Sequence, residues 1–226
     1  MSDSYLLAAQ TTPTRNAARV SYDRAAVHAV LDEALVCHVG FVVDGEPVVL
    51  PQLHARVDDR LYLHGSTGAR ALHAASGTGL QVCVTVTLTD GLVLARSAFH
   101  HSINYRSVVA HGTAHLVADD AERHAALTAL VEAVAPGRSE HTRPPSRKEL
   151  AATAVLRLEL SAVSLKVRTG DPRDDPEDLD LPYWAGVLPL HTRAGVPFPS
   201  ADLPASVSAP AHVAGWRRPG GSTSVP

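Results

Sequence analysis

The chain has 226 residues, of which 45% are hydrophobic and 19% charged, with a formal net charge of −3. That suffices for one globular domain with a sizeable core, and the near-neutral balance excludes a nucleic-acid partner held by bulk charge. The longest apolar runs are strand-sized, which excludes a membrane-spanning helix, and "MSDSYLLAAQTTPTRNAARV" holds no basic-then-apolar leader, so a cytoplasmic protein is expected.

Residues 1–20 lack periodicity and read as an extended surface segment. From Ser21 to Leu35, Ala26, Val30 and Ala34 recur at helical spacing behind a Ser/Asp start, predicting a helix. "CHVGFVV-DG-EPVVLPQLHARV" is two apolar runs joined by Asp-Gly, a strong hairpin signal, and a second turn at "DDR" leads into the strand "LYLHG". "STGARALHAASGTG" predicts a short helix. "LQVCVTVTL-TDG-LVLARSAF" predicts another hairpin, and "NYRSVVAHGTAHLV" a long strand. "DDAERHAALTALVEAVAPG" is a helix with an acidic first turn and a Pro-Gly stop. A Pro-rich loop and a short helical stretch precede "TAVLRLELSAVSLKVRTG", read as one last long strand.

After Gly170 the chain becomes acidic and proline-punctuated. It is expected to lie extended on the domain to about Leu190, with residues 191–226 a Pro/Gly/Ser-rich, partly disordered tail. Cys37 and Cys83, the only cysteines, sit in apolar runs and read as buried small residues, not a disulfide. Strands arriving as hairpins, with no GxGxxG between strand and helix, favour a small antiparallel barrel over a parallel sheet.

Three stretches carry candidate chemistry. In "LYLHGSTGARALHA" a strand ends at His64, Gly65 relaxes the backbone, and Ser66 and Thr67 open a helix bearing Arg70. Backbone N–H groups, hydroxyls and a guanidinium then converge as a phosphate seat would require, although a capped helix with a surface arginine fits as well. In "PVVLPQLHARV" a proline removes a ladder donor, which marks either a guarded edge strand or an exposed backbone suited to a planar ligand. "FHHSINYRS" places His100 and His101 before a strand on which His111 and His115 share a face. No HExxH, CxxC or GxSxG spacing accompanies them, so neither a metal nor a serine triad is expected.

Together, "DGEPVVLPQL", "LYLHGSTGAR", "TVTLTDGLVLARSAFHHSINYRSVV" and "WAGVLPL" resemble the flavin-binding split barrels of the pyridoxamine 5′-phosphate oxidase-like superfamily, and within it the flavin-nucleotide-binding and nitroimidazole-resistance-like branch. The resemblance covers roughly residues 15–190. It implies a six-stranded antiparallel split β-barrel with peripheral helices, spanning residues 21–190 and working as a homodimer with FMN between protomers. The flavin ring and ribityl would lie along Val48 to Leu53, including Val49, Leu50, Pro51 and Gln52. The phosphate would be held by His64, Gly65, Ser66, Thr67 and Arg70. Ser107 would contact the flavin with Asn104 and Arg106 beside it, and Trp184 would approach from the partner. Pyridoxamine phosphate oxidases proper carry Lys or Arg at several of these points and an arginine-bearing C-terminal strand. This chain has Gln52 and "AGVLPL" instead. The expected function is therefore an FMN-dependent oxidoreductase for a small organic substrate, outside vitamin B6 synthesis. Two alternatives are a flavin or haem carrier, with His64, His100 or His101 as axial ligand, and a deazaflavin-dependent reductase.

Overall fold

A computed structural model describes residues 3–67, 75 and 77–218. Its nine strands are β1 (Val20–Ser21), β2 (Val36–Val43), β3 (Glu46–Val57), β4 (Arg60–Ser66), β5 (Leu80–Leu94), β6 (Ser102–Leu116), β7 (Thr153–Glu159), β8 (Ala162–Arg168) and β9 (Gly186–Pro189). All pair antiparallel, in the order β1-β8-β6-β7-β4-β3-β2-β5-β9, and β5 also pairs with β6. That last pairing closes β2, β3, β4, β7, β6 and β5 into a ring, a six-stranded antiparallel split β-barrel with peripheral helices. The predicted short helix falls at residues 68–74 and 76, outside the described residues.

Local chemistry explains most of the elements. Asp44 and Gly45 adopt φ of 54° and 81°, the left-handed pair that a two-residue hairpin needs, and Val43 pairs with Glu46 across them. Helix α1 (Arg24–Glu33) is capped by Asp23, whose carboxylate accepts from the Ala26 N–H at 2.7 Å. Helix α2 (Asp120–Val134) is capped the same way by Asp119, and α3 (Arg147–Ala152) opens on a Ser146/Glu149 capping box.

Two sequence expectations are corrected. "TDG" is not a hairpin turn. β5 runs unbroken through it, with Thr89 opposite Tyr105, Gly91 opposite Asn104, and Asp90 as the extra residue of a bulge. Asp90 has tertiary partners that a free turn would lack: its carbonyl accepts from the Leu190 N–H, and β9 runs so close that a Cβ on Gly91 would meet Val187 at 3.0 Å. The single last strand is two. Leu160 turns its N–H to the Asp59 carbonyl (2.8 Å), which pulls the backbone off β6 between β7 and β8. β7 then completes the ring beside β4, while β8 lines the first half of β6.

The barrel interior is aliphatic. On β5, Leu80, Val82, Val84, Val86 and Leu88 all point inward and are buried, each contributing about 1.5–3 kcal/mol of transfer free energy. Val27, Val30 and Leu31 of α1 join that same core. Helix α2 covers the outside of β3, β4 and β7, with Ala126 packed beside Tyr62, Val117 and Val155. The outer faces of β2, of the first half of β3, and of β5 remain unpacked by any helix among the described residues.

Beyond β9 the chain makes turns at Ser200–Leu203 and Pro204–Val207 before a short helix, α4 (Ala211–Ala214). The Trp216 indole donates to the Val134 carbonyl at 2.9 Å, and Arg218 Nε donates to the Glu33 carbonyl at 2.8 Å. Both cysteines are free, Cys37 buried and Cys83 half-buried. No described helix is long and apolar enough to cross a membrane.

Candidate functional site

The ring opens at one seam. β3 and β4 are joined from Val57–Arg60 only as far as His54–Leu63. Beyond that pair, β3 continues with β2 alone, and β4 continues with β7 alone. Among the described residues two strand edges therefore diverge, one carrying Val49, Leu50, Pro51 and Gln52, the other His64, Gly65 and Ser66, followed by Thr67. Eight of the predicted residues thus lie along the two edges of this seam. Pro47 and Pro51 lack N–H groups and so keep the β3 edge from recruiting another strand.

The β3 lip is unusually bare. Val49 is 63% exposed and Leu50 46%, although they point to opposite sides of the strand. On the β4 lip, His64 Nδ1 is buried without a hydrogen-bond partner, an unsatisfied polar atom of the kind a ligand completes. The Thr67 N–H is already taken by the Ala152 carbonyl at 3.2 Å. Arg70 lies outside the described residues. The seam thus offers the β3 edge beyond its pairing with β4, an apolar lip and a His64 nitrogen with no partner among the described residues, which suits a flat heteroaromatic ligand carrying polar groups.

The remaining predicted residues lie elsewhere. On β6, side chains alternate, so Asn104 and Arg106 share one side of the strand and Ser107 takes the other. Asn104 donates to the Gly170 carbonyl at 3.2 Å and accepts from Arg168. Arg106 is held between Glu33 and Asp90, and those two carboxylates keep its guanidinium firmly charged. Ser107 donates to the Val86 carbonyl at 3.0 Å. Trp184 is 68% exposed, with its ring against Gly186, where a Cβ would stand 2.9 Å away. His100 pairs with Asp175 (3.1 Å), and His101 Nδ1 donates to the Ser97 carbonyl at 3.0 Å. Among the described residues, no three His, Cys, Asp or Glu side chains converge as a metal site.

A split antiparallel barrel with a cleft at its open seam defines the class: flavoprotein-type split barrels. The chain belongs to the pyridoxamine 5′-phosphate oxidase family, whose model matches residues 23–167. It is similar over nearly its whole length to two solved structures. One is the flavocytochrome Anf3 from Azotobacter vinelandii, with 38% identity, a TM-score of 0.87, and coverage of 93% of this chain and 97% of that one. Another is the FAD and haem binding protein from Mycobacterium smegmatis, with 40% identity, a TM-score of 0.84, and coverage of 90% and 100%. A candidate 5-nitroimidazole resistance protein from Bacteroides thetaiotaomicron shares the fold at 21% identity, with a TM-score of 0.55 and coverage of 66% and 86%. No curated protein matches the chain.

Proposed function

We propose that this chain is a flavocytochrome-like redox protein that binds a flavin at the β3–β4 cleft and a haem at a separate site. The observation that carries the reading is the 40% identity, across 90% of the chain, to a protein described as binding FAD and haem. The cleft fits the flavin half of it, because the open β3 edge offers main-chain donors and acceptors to a planar ring and His64 Nδ1 awaits a partner. FMN follows from the family resemblance, whereas FAD follows from the M. smegmatis relative, and FAD is the flavin proposed here because that relative spans the whole chain. A bound flavin supplies one- and two-electron transfer, and haem iron supplies a one-electron couple.

The residues of this chain bind and orient. Val49, Leu50 and Pro51 shield a ring from water, Gln52 offers a side-chain amide, and Gly65 lets the backbone approach closely. The redox partner proposed is a small organic molecule or an electron carrier. A homodimer is proposed as the working form, because the bare strand faces of β2 and β3 call for cover and a C2 pair satisfies both copies at once.

The test is purification from cells supplied with iron, a visible spectrum, and mass identification of every released chromophore. Bands of oxidised flavin and a Soret band, with released FAD and haem b, are expected. A colourless protein that takes up neither FMN, FAD nor haem on titration would overturn the reading.

A further inference from the structure

The C-terminal segment joins two helices that grip β3 at the point where the seam begins. The last rungs linking β3 to β4 are Ala55–Tyr62 and His54–Leu63, and the two strands part beyond them. Helix α1 holds these rungs from the core side. His54 donates to the Leu31 carbonyl at 2.9 Å and Arg56 pairs with Asp32 at 2.6 Å, both on the last turn of α1. Helix α2 holds them from outside, where the Tyr62 hydroxyl donates to Glu122 at 2.8 Å. Residues 211–218 then tie the C-terminal ends of these helices together. His212 stacks on His141, just past α2, with ring centroids 4.7 Å apart, and the Trp216 indole donates to the Val134 carbonyl that ends α2. Arg218 Nε donates at 2.8 Å to the Glu33 carbonyl that ends α1, on the turn that holds His54.

This strap is fastened at the surface. No residue of α4 is buried, Arg217 is exposed, and none of residues 211–218 belongs to the hydrophobic core. An element with few buried apolar contacts opens at a far smaller free energy than the whole fold. We propose that the strap is a gate on the seam. Fastened, it clamps α1 and α2 about β3 and fixes the spacing of the two edges. Detached, it lets them part to admit or release the ligand. The proposal rests on the flavin reading of the seam above. Beyond His54, β3 continues with β2, and beyond Leu63, β4 continues with β7. The junction rungs therefore set how far the edges diverge, and a clamp there acts on the seam without touching a bound ring.

Two measurements test the gate. In full-length protein without flavin, the Trp216 indole proton, followed by NMR, should exchange more slowly than that of exposed Trp184 and faster than the β5 amides. Protection equal to the β5 amides would show that the strap opens only when the fold does, and would overturn the gate whatever the protein binds. In flavin-loaded protein, stopped-flow fluorescence follows release and rebinding of FAD. Trp216→Phe/Arg218→Met keeps a ring and an aliphatic stem but drops both donors. Release and rebinding should both speed up, by about tenfold for bonds of ordinary strength, with their ratio unchanged. Arg217→Gln should behave as wild type, because Arg217 bonds only carbonyls of the strap itself. Faster release with unchanged rebinding would make the strap a support and not a gate, and unchanged rates in the double variant would remove it from the seam. Either result overturns the proposal. Failure of the wild type to bind FAD or FMN overturns the flavin reading and the gate with it.

Discussion

Arg106 on β6 clasps Glu33 at the end of α1. Nη2 donates to Oε1 at 3.0 Å and Nη1 donates to Oε2, while Asp90 of the β5 bulge takes Nε and Nη2 from the other side at 3.0 and 2.8 Å. Glu33 is only 6% exposed, and this guanidinium is the nearest cation to its carboxylate, with Arg218 Nε 3.9 Å from Oε1. Arg106→Met should therefore destabilise the fold by about 3 kcal/mol, the lower end for breaking a buried pair because the arginine itself is partly exposed. Adding Glu33→Gln should recover part of the loss. Chemical denaturation of the three proteins measures this. Flavin content per folded molecule should stay at the wild-type value. A fall in flavin content beyond the fall in folded protein would instead make Arg106 a cofactor ligand.

Glu33 also accepts the far end of the chain. Arg218 donates to its carbonyl, and Trp216 donates to that of Val134. Truncation after Val207 removes both contacts, each worth about 1 kcal/mol. A drop in melting temperature of about 4–8 °C is expected, readable by calorimetry. An unchanged melting temperature would show that the tail contributes nothing to stability.

His54 is 3% exposed, and its Nε2–H donates to the Leu31 carbonyl at 2.9 Å. Burial pulls its pKa below the ordinary 6.5, so the unfolded chain binds a proton that the folded chain refuses. The sign follows directly. This contribution to stability is fully present above pH 6.5 and is lost as the pH falls through the depressed folded value. As the pH falls below 6.5, wild type should lose stability more steeply than His54→Gln, whose amide keeps a donor near Leu31 but does not titrate. Parallel unfolding curves across that window would refute the assignment.

Trp184 touches Gly186 yet leaves 68% of its surface to solvent. Its removal should cost the cofactor-free protein less than about 0.5 kcal/mol, as at other exposed positions. If the indole meets a partner's flavin, Trp184→Ala should lower flavin retention on gel filtration without moving the cofactor-free melting temperature. Equal retention in both proteins would remove Trp184 from the site.

What the sequence determined by itself was local. Asp44-Gly45 specifies its hairpin because few other residues accept two successive positive φ angles, and the Asp23 and Asp119 caps mark where helices begin. The cluster of quoted motifs pointed to the split-barrel family, whose model matches residues 23–167. Tertiary structure alone decided the rest. Asp90-Gly91 carries the same letters as a hairpin turn but becomes a bulge, because Arg106 binds its carboxylate and β9 needs the space above its glycine. Arg106 itself reads as an anion-binding residue until Glu33, 73 positions away, is folded against it. A charge or an imidazole acquires its role from the groups that surround it, and those arrive from distant parts of the chain, where periodicity and spacing carry no signal.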